Sequence, residues 1–335
     1  MTVVARTTEI DADAIVAEAE GVVERLKAVR AGIGEVIFGQ ENVVERTLVA
    51  ILAGGHGLLV GVPGLAKTRL VEALGTVLGL DARRVQFTPD LMPSDILGSE
   101  VLDLAPDGSR SFRFLRGPIF AQLLMADEIN RASPRTQSAL LQAMQEYQVT
   151  VAGAAYDLPR PFHVLATQNP LEQEGTYPLP EAQLDRFLLQ IDVQYPDLAS
   201  ERRILIDTTS DKSAAARPVL SEGELLGFQR LVRRMPISQT IVEAILELVR
   251  STRPGEGTSD VTRHIAWGAG PRASQALALT VRARALLNGR LAPSLDDVHA
   301  LAEPVLQHRM ALSFAARADG IRIADVIAAA RKRIG

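Results

Sequence analysis

Apolar residues along this chain follow two different periods. Up to about residue 195 short apolar runs alternate with helical patterns, and beyond Tyr195-Pro196 only the helical spacing continues. Ile15, Val16, Val22, Val23, Leu26 and Val29 predict a leading amphipathic helix over 11–34. Residues 42–52 predict a second helix, ended by Gly54-Gly55. Apolar runs beginning at Leu58, Arg84, Leu123, His163 and Leu188 predict five strands. Residues 112–118 read as a loop, and the alternation from Val149 to Leu158 around Gly153 predicts a hairpin. Helices are then predicted at 198–209, 221–233, 238–251, 271–288, 294–307 and 320–333, with polar linkers at 207–218 and 251–260. Strands alternating with helices, followed by helices alone, predict an α/β domain and then an α-helical one. The expected division is a helical extension over 1–34, a core with a five-stranded parallel sheet over 35–196, and an all-α lid over 197–335.

The first strand runs into Gly61, Pro63, Gly64, Leu65, Ala66, Lys67, Thr68 and Arg69, and a helix follows. Strand, glycine loop, Lys-Thr and helix in that order are what a phosphate-binding loop requires. Glycines let backbone N–H groups curl around phosphates, and the helix N-terminus adds its positive dipole end. Lys67 would reach the β- and γ-phosphates and the Thr68 hydroxyl would ligate Mg²⁺. The general pattern has glycine where Ala66 stands. As a residue opening a helix, Ala66 is expected to have negative φ at slight cost.

Asp127-Glu128 end the third strand. Beside a phosphate loop, Asp127 would hold Mg²⁺ and Glu128 would polarise the attacking water. Asn169 ends the strand that starts at His163. It can orient that water or simply form a turn before Pro170. All three motifs fall at carboxyl ends of strands, where open α/β sheets bind ligands.

Composition narrows the field further. With 36 Lys plus Arg against 40 Asp plus Glu, the net charge of −4 argues against general nucleic-acid binding. Absence of cysteine excludes disulfides, thiolate metal sites and cysteine nucleophiles. The five histidines show no zinc-ligand spacing. The first residues turn acidic before an apolar segment can form, and the apolar stretch from Leu48 to Val62 is broken by four glycines and His56. A soluble cytoplasmic protein without a membrane span is expected.

GVPGLAKT, QFTPDLMPSDILG, LLMADEINRA with SPRTQSALLQAMQE, ATQNP and LPEAQLDRF together resemble the MoxR family of AAA+ ATPases, over roughly residues 35–195. The resemblance implies an Mg²⁺-dependent ATPase working as a ring, hexameric, that remodels or activates protein partners. Those partners would carry von Willebrand factor A domains, and the task would be complex maturation or metal-cofactor insertion. It implies that Arg186 is an arginine finger reaching the neighbour's γ-phosphate; the plain alternative is an ion pair with Asp185. Arg272 resembles the second sensor arginine at the lid, and Arg131 is left open as a second interface arginine. Gln40, with Val36 to Phe38, occupies the position that embraces adenine, although apolar residues there also suit a core. The hairpin at about 147–160 resembles the helix-2 insert, which projects toward the pore. Two other readings stand beside this one: a nucleotide-gated assembly scaffold with little turnover, and a DNA-remodelling AAA+ ATPase.

Overall fold

The structure is a computed structural model that describes residues 12–104, 110–171, 175–209, 215–256 and 259–334. Parts of the two polar linkers, and the first eleven residues, lie outside those ranges. Two helices lead, α1 over Ala12–Gly34 and α2 over Glu41–Leu52. The first sheet strand and its crossover follow as β1 (Gly57–Val60), α3 (Lys67–Leu78) and β2 (Ala82–Gln86). A short helix α4 (Pro93–Leu97) opens into a hairpin of β3 (Gly98–Leu104) and β4 (Arg110–Arg116). Next come β5 (Leu123–Asp127), α5 (Pro134–Glu146), the hairpin β6 (Gln148–Val151) and β7 (Ala154–Asp157), and β8 (His163–Gln168). The α/β part closes with α6 (Glu181–Leu184) and β9 (Leu189–Asp192).

The helical part begins with α7 (Leu198–Thr208), α8 (Glu222–Arg234), α9 (Gln239–Ser251) and α10 (Ser259–Thr262). It continues through β10 (Ile265–Trp267), α11 (Pro271–Leu287), α12 (Leu295–Leu306), β11 (Ala311–Leu312), α13 (Phe314–Ala318) and α14 (Ile323–Arg331). Its antiparallel pair β10–β11 makes it predominantly rather than wholly α.

Five strands form one parallel sheet in the order β2-β5-β8-β1-β9. Alternate residues of each central strand feed opposite layers. Leu123 and Met125 of β5 face a core shared with α1–α3 and the C-terminal helices, while Leu124 and Ala126 face α5 and the hairpins. Burial on both faces explains why these strands read as unbroken apolar runs instead of alternating ones. Val22, Leu26, Val29 and Ile33 lay α1 into the first of these layers, so the leading helix shares the core of the helical part.

One expectation is corrected here. Residues 112–118 are mostly strand: β4 pairs antiparallel with β3, Leu102 opposite Phe112 and Glu100 opposite Phe114. β3–β4 lies in the crossover between β2 and β5, whereas β6–β7 follows α5 in the crossover between β5 and β8. The hairpin read at 149–158 exists, in a different crossover, and the two touch where Phe114 stacks on Tyr156 at 4.2 Å between ring centroids.

Candidate functional site

β1 ends at the sheet's carboxyl edge, and the chain wraps there before α3 begins. Gly61 must be glycine, because a Cβ would stand 2.7 Å from the Val193 carbonyl oxygen of the adjoining segment. Gly64 takes φ +83°, which glycine adopts without steric cost. Ala66 departs from expectation. It is left-handed, φ +55° and ψ +22°, and it is the N-cap before α3 instead of the helix's first residue; other α-helix N-caps, such as Ser133, Asp197 and Ser221, keep negative φ. Caps take non-helical dihedrals, and here the alanine bears the strain that glycine would avoid. Pro63 to Arg69, Asp127, Glu128 and Asn169 line one cavity of about 380 Å³. Lys67 Nζ donates to the carbonyls of Gly61 at 2.5 Å and Val62 at 3.2 Å, which holds the loop closed on itself.

Apart from Arg131, the acidic pair is held by residues the sequence reading did not single out. Thr167 Oγ donates to Asp127 Oδ1 at 2.5 Å, and Arg84 donates to Oδ2 at 2.6 and 3.1 Å. Gln86 Nε2 donates to Glu128 Oε2 at 2.7 Å, and Arg131 pairs with the same oxygen at 3.1 Å. Arg131 thus turns toward its own acidic residue. Arg84 and Gln86 are two apart on β2, hence on one side of the strand. That alternation on a strand beside the acidic pair was the available signal. Glu128 itself sits at φ +56°, a left-handed conformation uncommon for a side chain of this size and found where a site demands it. The donor set suits magnesium, a hard cation taking oxygen ligands, because the Thr68 hydroxyl and Asp127 carboxylate share the cavity. Asn169 is buried, and its Oδ1 accepts from the Leu171 N–H at 3.1 Å. It therefore makes the turn and lines the cavity as well.

Gln40 is elsewhere along this edge. It lines a separate hollow with Asp192, Gln194, Tyr195 and Glu303, and its amide donates to the Gln194 carbonyl at 2.9 Å. Val36, Ile37 and Phe38 are core residues. The hollow adjoins β9, the neighbour of β1, so it shares the sheet edge with the phosphate loop.

Arg186 and Arg272 are at the other end of the sheet. They line a cavity with Gly55, His56 and Leu188, residues preceding β1 and β9, and with Tyr147 at the end of α5. With about 3.3 Å of rise per residue, the four residues of β1 alone put this cavity roughly 13 Å from the phosphate loop. Arg272 is therefore not a ligand of its own chain's phosphate cavity, and among the described residues none of the helical part lines that cavity. The local ion pair expected as the alternative for Arg186 is absent too. Asp185 instead binds Arg309 Nε at 2.7 Å and Arg272 Nη1 at 3.4 Å. Arg309, 3% exposed, lies in the 3₁₀ turn after α12. Its guanidinium also donates to the backbone carbonyls of Phe187 at 2.7 Å, Leu188 at 3.1 Å and Asp185 at 3.3 Å.

Behind this cavity two histidines are buried. His56 Nδ1 accepts from the Val164 N–H at 2.9 Å, which leaves Nε2–H to face the Met144 carbonyl at 3.2 Å. His163 Nδ1–H donates to the Gly55 carbonyl at 2.8 Å, and its Nε2 accepts from Gln229 of α8 at 3.0 Å. Burial pushes the His56 pKa down to about 3, with the nearby His163 adding to the effect, and that of His163 down to about 4.

Comparison with known proteins agrees with this architecture. Residues 56–189 match the ATPase family associated with various cellular activities (AAA), and residues 258–330 match the AAA lid domain. The chain is 43% identical over 308 residues to Chaperone MoxR1 of Mycobacterium tuberculosis, covering 90% of this chain and 81% of that one. It is 32% identical over 308 residues to the protein MoxR of Paracoccus denitrificans, covering 86% and 89%. The crystal structure of a candidate ATPase from Cytophaga hutchinsonii superposes with a TM-score of 0.89 at 38% identity, covering 96% and 98%. Phosphate loop, acidic strand end, five-stranded parallel sheet and helical lid thus agree with sequence kinship along nearly the whole chain, which belongs to the MoxR family of AAA+ ATPases.

Proposed function

We propose that the protein hydrolyses ATP with Mg²⁺ at sites shared between neighbouring copies in a ring, hexameric as in the AAA+ reading, and uses that cycle to remodel protein partners. One observation carries this. The phosphate loop and the two arginines Arg186 and Arg272 occupy opposite edges of the same sheet, so a chain can complete its neighbour's site but not its own.

In this reading the loop from Gly61 to Arg69 cradles phosphates through its backbone N–H groups, and Lys67 exchanges its loop carbonyls for phosphate oxygens. Thr68 and Asp127 hold magnesium, which when bound offsets charge on the phosphates. Arg84 must yield Asp127 Oδ2 for this. Glu128 accepts the proton of the attacking water once Gln86 and Arg131 release it, and Asn169 orients that water. Gln40 borders the hollow that would take the base. From the neighbour, Arg186 offsets charge developing on the transferred group, with Arg272 beside it.

Exposed apolar side chains on the β3–β4 hairpin, Leu102, Phe112 and Leu115, support a protein partner. Kinship supports a partner with a von Willebrand factor A domain and a maturation or cofactor-insertion task. The setting proposed is the cytoplasm. No helix among the described residues is long and apolar enough to cross a membrane.

The test is hydrolysis per subunit across a wide range of protein concentration, with Arg186→Ala alongside. Specific activity should rise steeply with concentration, and the variant should lose turnover by about 10³-fold or more while binding ATP nearly as before. Flat specific activity, or ATP binding lost together with turnover, would refute the shared site.

A further inference from the structure

The segment that carries Arg186 has no regular structure of its own: α6 ends at Leu184 and β9 begins at Leu189. Its N–H groups are held within the α/β part, Arg186 N–H by the Gln183 carbonyl and Leu188 N–H by the His56 carbonyl, while its carbonyls and the Asp185 carboxylate are held from the helical part. Arg309 grips the carbonyls of Asp185, Phe187 and Leu188 on both sides of Arg186, and its Nε binds the Asp185 carboxylate. His308 adds a hydrogen bond from Nε2 to the Phe187 carbonyl at 2.9 Å. Arg272, in the first turn of α11, reaches the second oxygen of the same carboxylate. Among the described residues the Arg186 guanidinium has no hydrogen bond or ion pair, so its own contacts do not hold it in position.

Burying a guanidinium is strongly unfavourable unless its donors are satisfied. Arg309 places four of its hydrogen bonds on the segment that presents Arg186 and a fifth on the Val305 carbonyl. A fork of five fixed donors can bind several carbonyls and a carboxylate at once, which a single ammonium cannot.

We propose that Arg309 is a positioning residue for the neighbour's active site. From the lid it clamps residues 185–188, so that Arg186 projects at a fixed distance from Arg272, and Asp185 joins the two arginine-bearing elements. This rests on the shared-site reading above. Movement of the lid would then reach the adjacent subunit's phosphate cavity through the clamp.

Arg309→Lys tests it. The lysine keeps the charge and three donors on one atom but cannot reach all five acceptors of Arg309. Loosening Arg186 by about 1 Å should lower kcat by about 10²-fold, with the ATP dissociation constant, read with a fluorescent analogue, within twofold of wild type. The discriminating measurement is a mixture with Lys67→Ala chains, whose phosphate loop is impaired and whose Arg186 edge is intact. In an equal mixture about a quarter of the interfaces join an Arg309→Lys loop to an intact Arg186 edge, so about a quarter of wild-type activity should return. Unchanged kcat in Arg309→Lys would overturn the proposal. So would a loss that Lys67→Ala chains do not rescue while they rescue Arg186→Ala. If Arg186→Ala is not rescued either, the shared site itself fails and takes the clamp with it. Should Arg309→Lys not fold, as judged by circular dichroism, Asp185→Asn replaces it. That change keeps the backbone bonds but weakens the link between the arginines. A several-fold, rescuable loss of kcat is then expected, and wild-type kcat would overturn the proposal.

Discussion

His163 offers a prediction that can be worked through from its surroundings. Its ring is buried and neutral, donating from Nδ1 to Gly55 and accepting at Nε2 from Gln229, which also donates to the Ile51 carbonyl. Its folded pKa, about 4, lies below the unfolded 6.5. As the pH falls below 6.5 the unfolded chain takes up a proton that the folded chain refuses. The stabilisation is whole above pH 6.5 and is lost progressively down to about pH 4. At roughly 1.36 kcal/mol per pH unit, the loss from pH 7 to pH 5 is about 2 kcal/mol. His56, lowered to about 3, adds a similar amount. Together that is a large share of the 5–15 kcal/mol that typically separates folded from unfolded states. The perturbation is His163→Gln, whose amide can donate toward Gly55 and whose carbonyl can accept from Gln229 without titrating. Urea denaturation at pH 7, 6 and 5 on both proteins gives the difference in stability, from which carboxylate effects cancel. The variant should be the less stable at pH 7, with the gap closing by about 2 kcal/mol at pH 5. A gap that stays constant with pH would refute the assignment of a neutral buried imidazole.

Two further substitutions probe other parts of the fold. Ala66→Gly removes a Cβ from a left-handed cap, and should raise stability by about 1 kcal/mol with ATP binding retained; thermal unfolding and nucleotide titration would check it. Asp297 is fully buried and binds Arg284 at 2.7 Å and Arg290 at 2.6 Å, so Asp297→Asn should cost about 3–5 kcal/mol, read as a lowered denaturation midpoint.

What could be read in the sequence follows from range. Strands buried on both faces, such as β5 and β8, announce themselves as apolar runs, and the phosphate loop and acidic pair are contiguous in the chain. The β3–β4 hairpin escaped because its residues are largely exposed on both faces, so Phe112 and Arg113 alternate with no hidden partner. Ala66 is hidden in the sequence because a cap and a first helical residue look alike there, and nothing local distinguishes this left-handed cap from caps such as Ser133, Asp197 and Ser221, whose φ is negative. The bond from Arg309 to Asp185 spans 124 positions, and the Arg272 contact spans 87. No local pattern records such pairings. The relation between the two sheet edges became legible only once the strand order fixed which side of the sheet each loop leaves.

That relation has a consequence for assembly. Two unlike half-sites on opposite edges give the chain a head and a tail. Two copies meeting through the same surface would bring loop to loop or arginine to arginine and complete nothing, so a twofold-symmetric dimer is expected to be inert. Association must be head-to-tail, the kind that closes into rings or runs on as open filaments. An open row always leaves one loop at its end without arginines, and closure is what brings that last site into use. Ring closure is then itself an activating event, worth most in the smallest assemblies.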